Sequence, residues 1–152
     1  MGEPISTERS ARPLWVCPKC DRSFASRNAT HTCSPLKDLD DHFLGKSDEV
    51  RAIFDAIVAE VTKFGPVTVL PEKTRIALQV RMSFAAFTPR RQWLNGHLVL
   101  ARRVDSTRFT RIEILSPRNV LHAFRLTSAT EVDSEMVDWL AEAYQVGLQR
   151  PT

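Results

Sequence analysis

The sequence predicts an α+β fold, a largely antiparallel β meander covered by helices and preceded by a small zinc-binding module. Three observations predict it. Two stretches, residues 47–61 and 133–148, place apolar side chains at helical spacing. Between them, residues 67–127 form short runs of strand-like texture separated by turn-forming residues. Ahead of both, all three cysteines of the chain crowd into residues 17–33. Strands segregated from helices in this way argue for α+β.

Residues 1–13 read as a disordered polar tail punctuated by Pro4 and Pro13. They carry Glu3, Glu8, Arg9 and Arg12 and no apolar core, which argues against a secretory signal. Residues 14–35 read as the zinc module. Cys17-Pro18-Lys19-Cys20 is followed by His31-Thr32-Cys33, a Cys-x2-Cys-x10-His-x-Cys pattern. Three thiolates and one imidazole fill the tetrahedron that Zn2+ prefers, and a closed shell makes the metal structural. His31 is the fourth ligand favoured by spacing, and His42 is the alternative. Phe24 sits four positions after Cys20, like the hairpin half of a two-Cys, two-His finger. The His-x-Cys pair and the shorter loop depart from that finger, so no groove-reading helix is expected. A redox Cys-x2-Cys opens a helix after a strand, whereas Pro18 and Lys19 lie in a turn-rich segment. Three cysteines leave one unpaired in any disulfide framework, so the chain reads as intracellular, reduced and cytoplasmic.

Residues 36–152 read as the α+β domain. A short helix is expected to start with Ser34 as N-cap and Pro35 in its first turn. Leu36, Leu39, Phe43 and Leu44 line its apolar face, and Gly45 ends it. Ser47 caps a longer helix in which Val50, Ile53, Phe54, Ile57, Val58 and Val61 repeat at i, i+3, i+4. Gly65-Pro66 stops it. Residues 67–70 form a short strand, and Ile76, Leu78, Val80 and Met82 alternate with polar or small residues as in a half-buried strand. Asn95-Gly96 is the dipeptide of a two-residue hairpin turn and is expected to precede a strand from His97 to Arg103. Turns at Asp105-Ser106-Thr107 and at Ser116-Pro117-Arg118-Asn119 bracket strands from Arg108 to Leu115 and from Val120 to Thr127. A last helix starts near Asp133 or Ser134 and buries Met136, Val137, Leu140, Tyr144 and Leu148.

A hydrophobic fraction of 43% and a charged fraction of 26% are those of a soluble globular chain. No apolar run approaches the roughly 20 residues that cross a bilayer. The net charge of +3 is unevenly spread. Residues 65–130 carry eleven basic and three acidic groups, a net +8. Residues 36–64 are net −3 and residues 131–152 net −4. Either acidic helices lie beside a basic sheet and neutralise it, or the sheet presents a face that binds anions.

Several short motifs in order resemble a bacterial family carrying "domain of unknown function 5655". They are Cys-x2-Cys, Phe24, Asn28 and His31-x-Cys33, then Asp41-His42-Phe43 and Phe64-Gly65-Pro66-Val67. Lys73-Thr74-Arg75-Ile76, Phe84-Ala85, Pro89, His122 and Trp139-Leu140-x2-Ala143-Tyr144 continue the likeness, which spans residues 14–147. The resemblance implies an α+β domain that sometimes follows restriction-type nuclease domains, and it implies no established activity.

The candidate anion-binding residues are Lys73, Arg75, Arg91, Arg111 and His122. Lys73 and Arg75 flank a turn entering the sheet, Arg90-Arg91 and Arg102-Arg103 are adjacent pairs, and Arg108 and Arg111 share a strand. Such groups hold phosphates, and Trp93 or Phe109 between them would stack on bases if exposed. His122 falls on one strand face with Val120, Phe124 and Leu126, either as a hydrogen-bonded core residue or pointing into a pocket with Lys73 or Arg75. His97, beside the expected turn, reads as exposed.

No catalytic residues are assigned. Glu72, Asp105 and Glu113 are too scattered for two-metal chemistry, and zinc uses every cysteine. The leading expectation is an accessory binding module for an anionic partner, nucleic acid first. The alternatives are a small-anion-binding protein or enzyme with a Lys/Arg/His pocket, and an adaptor that docks a protein partner through the zinc module near Trp15 and Phe24. No membrane partner is expected.

Overall fold

The computed structural model of the protein describes residues 14–18, 23–24 and 36–149. β1 (Trp15–Val16) pairs antiparallel with β2 (Ser23–Phe24), closing a hairpin whose connection begins at Cys17. The expected tail at residues 1–13, and Cys20, His31 and Cys33, lie outside the described residues.

The chain then enters a 3-10 turn at Leu39–Phe43, shorter than the helix expected there. Asp38, not Ser34, is its N-cap, and its carboxylate accepts from the Asp40 N–H at 3.3 Å. Gly45 follows with φ +73°, the left-handed conformation that glycine adopts without strain. α1 (Asp48–Val61) buries Val50, Ile53, Phe54, Ile57 and Val61, the stripe read from its 3.6-residue rhythm. Asp48 and Glu49 place negative charge at its positive end. Ser47 is the N-cap residue without a side-chain cap bond, and its N–H donates to Arg91 O at 2.8 Å.

β3 (Thr68–Pro71), β4 (Ile76–Gln79), β5 (Ser83–Pro89), β6 (Leu94–Leu100), β7 (Phe109–Ser116) and β8 (Asn119–Leu126) form one sheet in the order β3-β4-β5-β6-β8-β7. Every neighbouring pair is antiparallel. α2 (Ser134–Leu148) closes the fold. Asp133 caps it by accepting from the Met136 N–H at 3.0 Å. Both helices pack on one face of the sheet, where Ile76, Leu78, Phe87, Leu94, Leu98, Leu100 and Phe124 meet Ile53, Phe54, Met136 and Leu140 in one core. In α2, Trp139 and Ala143 join the buried stripe, while Val137 and Leu148 lie at its margin.

The sheet departs from the sequence reading at three places. The strand expected to include Val80 and Met82 ends at Gln79, is buried on both faces, and leaves residues 80–82 as the turn into β5. β5 was not foreseen as a strand, because its Phe84-Ala85-Ala86-Phe87 run has no period-2 alternation and all four residues are buried. Asn95-Gly96 is not a turn. Both residues lie inside β6, and the β5–β6 connection is instead closed by the Arg90 N–H donating to Trp93 O at 2.8 Å. Gly96 faces Phe87 on one side and Phe124 on the other. A Cβ built there would lie 2.7 Å from the Phe87 ring and 2.9 Å from the Phe124 ring. The glycine is therefore a packing requirement, a close approach rather than a bend. Gly96→Ala should lower stability by about 2 kcal/mol, because the two rings must leave their packed positions. Thermal melting checks this, with Gly45→Ala, which meets no atom within 4 Å, as the companion variant that carries only backbone strain.

Candidate anion-binding site

No helix among the described residues packs on the second face of the sheet. Period-2 alternation sends there the residues that flank the core rows. Phe87, Gly96 and Phe124 point to the helices, so Ala86, His97 and Ala123 point away, aligned across β5, β6 and β8 and continued by Arg111 on β7. One step along the strands, Thr88, Asn95 and Arg125 form a second row. Ile76 is registered with Phe87, which brings Arg75 to the end of that row. These rows enclose a cavity of about 350 Å³ lined by Arg75, Thr88, Asn95, His97, Arg111 and Arg125, with Thr110 at its side. Small alanines at 86 and 123 form part of its floor. No carboxylate is among its described lining residues.

The side chains around the cavity are held by specific partners. The Trp93 indole N–H donates to Asn95 Oδ1 at 3.0 Å, which orients the amide so that its NH2 group remains a donor. The Arg125 guanidinium lies over the Trp93 ring at 4.6 Å. Arg75 donates to Glu72 at 3.0 Å and Arg111 to Glu113 at 2.7 Å. His97 is half-buried between these two arginines. Burial and then the charges of Arg75 and Arg111 push its pKa down to about 4, so at neutral pH it is an uncharged imidazole.

The structure brings Arg75 and Arg111 together and does not bring the other three candidates to them. Lys73 and Arg91 are exposed on turns, outside the cavity lining. His122 lies on the helix-covered face, fully buried and 4.7 Å from the Phe109 ring. Its Nε2 accepts from the Val104 N–H at 2.9 Å and its Nδ1–H donates to Val120 O at 3.0 Å. Both ring nitrogens are occupied only in the neutral tautomer, so His122 is a core histidine that anchors the β6–β7 connection. Phe109 is likewise core, 4.6 Å from Trp139, and is not available for stacking. His97 and Arg125 were the residues missed. The false turn at Asn95-Gly96 hid His97, and period-2 counting through Asn95, His97 and Val99 would have placed it opposite the core face.

The helix side of the sheet is electrically settled. Arg102 forms a bidentate pair with Glu142 at 3.1 and 2.9 Å. Arg108 binds Asp133 at 2.9 Å, Glu135 at 3.1 Å and Glu131 O at 2.7 Å, and lies over the Trp139 ring. Acidic α2 therefore neutralises the arginines nearest to it. The alternative zinc ligand His42 is buried, with its Nε2 donating to Glu72 O at 2.6 Å, which leaves Nδ1 without the proton. Among the described residues no cluster of three or more His, Cys, Asp or Glu side chains is placed to hold a metal. Among them no helix is long and apolar enough to cross a membrane.

The family described as domain of unknown function (DUF5655) matches residues 39–147. The chain belongs to this family. The match runs from the 3-10 turn to the last residues of α2, so the six-stranded sheet and the cavity are DUF5655 structure, while the β1–β2 hairpin lies before it. No curated protein and no solved structure matches the chain. Several of the residues that carry the resemblance meet in this DUF5655 core. Tyr144 packs against Phe64 and Phe84, and its hydroxyl donates to Pro66 O at 2.8 Å.

His42, His97 and His122 all have pKa values lowered from 6.5, chiefly by burial. Below pH 6.5 the unfolded chain takes up protons that the folded chain refuses, so their contribution to stability is lost as pH falls. The midpoint of thermal unfolding should drop steadily from pH 6.5 toward pH 4, and His122→Ala, which strands the Val104 N–H, should cost about 3 kcal/mol at pH 7. Calorimetry across that pH range checks both.

Proposed function

We propose that this protein binds an anionic ligand whose phosphate or carboxylate oxygens enter the cavity on the sheet face opposite the two helices. The observation that carries this reading is the convergence of Arg75, Arg111 and Arg125, from three separate parts of the chain, on one cavity with no described carboxylate in its lining. Its volume of about 350 Å³ suits a small ligand. The polar lining is rich in donors: three guanidiniums, the Asn95 amide and the Thr88 and Thr110 hydroxyls. A ligand made of acceptor oxygens complements such a set. Glu72 and Glu113 are the competitors for Arg75 and Arg111, but partly exposed pairs of this kind are worth at most about 1 kcal/mol. Among the described lining residues no carboxylate pairs with His97 as acid and base, so the role proposed is binding rather than turnover.

A nucleic-acid strand is the second reading, favoured by the stacked Trp93–Arg125 pair and by exposed Lys73, Arg90 and Arg91 on turns at the same end of the sheet. Its phosphates would follow these charges, and binding would weaken steeply with salt. A protein partner at the hairpin has less support: Val16 is 53% exposed, but Trp15 is half-buried.

A structural Zn2+ on Cys17, Cys20, His31 and Cys33 belongs to the same proposal. What supports it is the Cys-x2-Cys spacing, together with an antiparallel β1–β2 pair and a buried Cys17 directly after β1. Chelation should unfold this small module and leave the α+β domain folded, because so short a segment has almost no core of its own. Metal analysis and amide exchange before and after chelator check this. Equal protection in both states would contradict it.

Calorimetry at low salt with inorganic phosphate and with a 5′-phosphorylated oligonucleotide tests the anion site. Phosphate should bind, His97 should titrate at higher pH with the anion present, and Arg125→Ala should weaken binding about tenfold, a loss of about 1.4 kcal/mol. Salt-sensitive binding of the oligonucleotide alone would select the second reading. No binding of either probe would overturn both.

A further inference from the structure

The two edges of the large sheet are unlike. β3 is four residues long, includes Pro71, which has no N–H to offer, and its Pro71 O already accepts from the Lys37 N–H at 2.7 Å. Those are the features that blunt an edge. β7 is eight residues long and none of its residues is proline. It ends the sheet, and among the described residues nothing pairs with its outer side. Arg111 and Glu113 are exposed, and Ile114 and Leu115 are 64% and 52% exposed, an unusual amount of apolar surface for one strand.

We propose that β7 pairs antiparallel with β7 of a second copy of this chain, about a two-fold axis passing beside Ile112. The occupant is set by charge complementarity. In antiparallel pairing centred on Ile112, position 111 of one copy lies opposite position 113 of the other. Arg111 then faces the partner's Glu113, and Glu113 faces the partner's Arg111. The strand is thus complementary to itself, as a two-fold interface requires. Arg111 and Glu113, already 2.7 Å apart within one copy, exchange that contact for two equivalent ones across the axis. Opposite-charge pairs directly across two strands stabilise the pairing, whereas like charges there oppose it. Ile112 meets its symmetry mate on the helix side, where it borders the core, and Ile114 lies two residues further along the same side. A two-fold axis normal to the sheet keeps like faces together, so a continuous sheet of twelve strands would carry both cavities on one side. The pairing does not depend on what those cavities bind.

Sedimentation of the full chain from micromolar to near-millimolar concentration tests the proposal. The wild type should pass from monomer to dimer. Arg111→Glu alone and Glu113→Arg alone should each stay monomeric, because each places like charges across the axis. An equimolar mixture of the two single variants should dimerise, since each copy then supplies the charge the other lacks. Circular dichroism of each variant shows whether the fold persists, and both substitutions are at exposed positions. A wild type that stays monomeric throughout would overturn the proposal. So would a single variant that dimerises as the wild type does, or a folded mixture that remains monomeric.

Discussion

The meeting of Phe87 and Phe124 over Gly96 fixes the register on which both faces of the sheet depend. The rings lie 6.3 Å apart edge to face, on strands separated by β6, and only a residue without a side chain fits between them. Phe109 is registered with Phe124, so four strands are aligned along one core row. A slip of one residue would turn the core row outward and bring His97 and Arg125 among the apolar side chains under the helices. The arrangement of the cavity is therefore inherited from packing on the opposite face. Its chemistry needs no separate scaffold.

Charge is sorted by the same sheet. Arginines on the helix side find carboxylates on α2, and their pairs draw the helix onto the strands. On the far side, Arg75 and Arg111 pair with Glu72 and Glu113, two or three residues away in sequence, and Arg125 lies over Trp93. Internal neutralisation describes the helix side of the sheet, and the proposed anion-binding face lies on the other side. Net charge could not separate them, because it does not record which side of a strand a residue occupies.

Helices were legible in the sequence because their apolar stripes repeat strongly. Val50, Ile53, Phe54, Ile57 and Val61 lie where that rhythm puts them, and Asp133 caps α2 near its expected start. The sheet was less legible. β5 is buried along most of its length and shows no alternation, and Asn95-Gly96 carries turn chemistry in a place where packing needed a bare backbone. Local preference gave way there to a contact between residues 87 and 124, which no short window contains. For the site, Arg75 and Arg111 were marked by charge alone. His122 was marked by its strand face, and both of its ring nitrogens turned out to be used by the backbone. His97 and Arg125 became visible only once the register was known.

Tyr144 joins regions far apart in the chain, its hydroxyl on Pro66 and its ring between Phe64 and Phe84. It belongs to α2, which follows every strand of the sheet. A ribosome therefore delivers all six strands before it delivers the helix that covers much of them. Until that helix docks, the apolar face that includes Phe84, Phe87 and Leu98 has only α1 to shelter it. Apolar surface left open during synthesis is the kind that makes partly folded chains prone to association. In the last turn of α2, Gly147 O receives the N–H groups of Arg81 and Met82 and fastens the helix to the β4–β5 turn, so the closing contact of the core lies at the end of the last element.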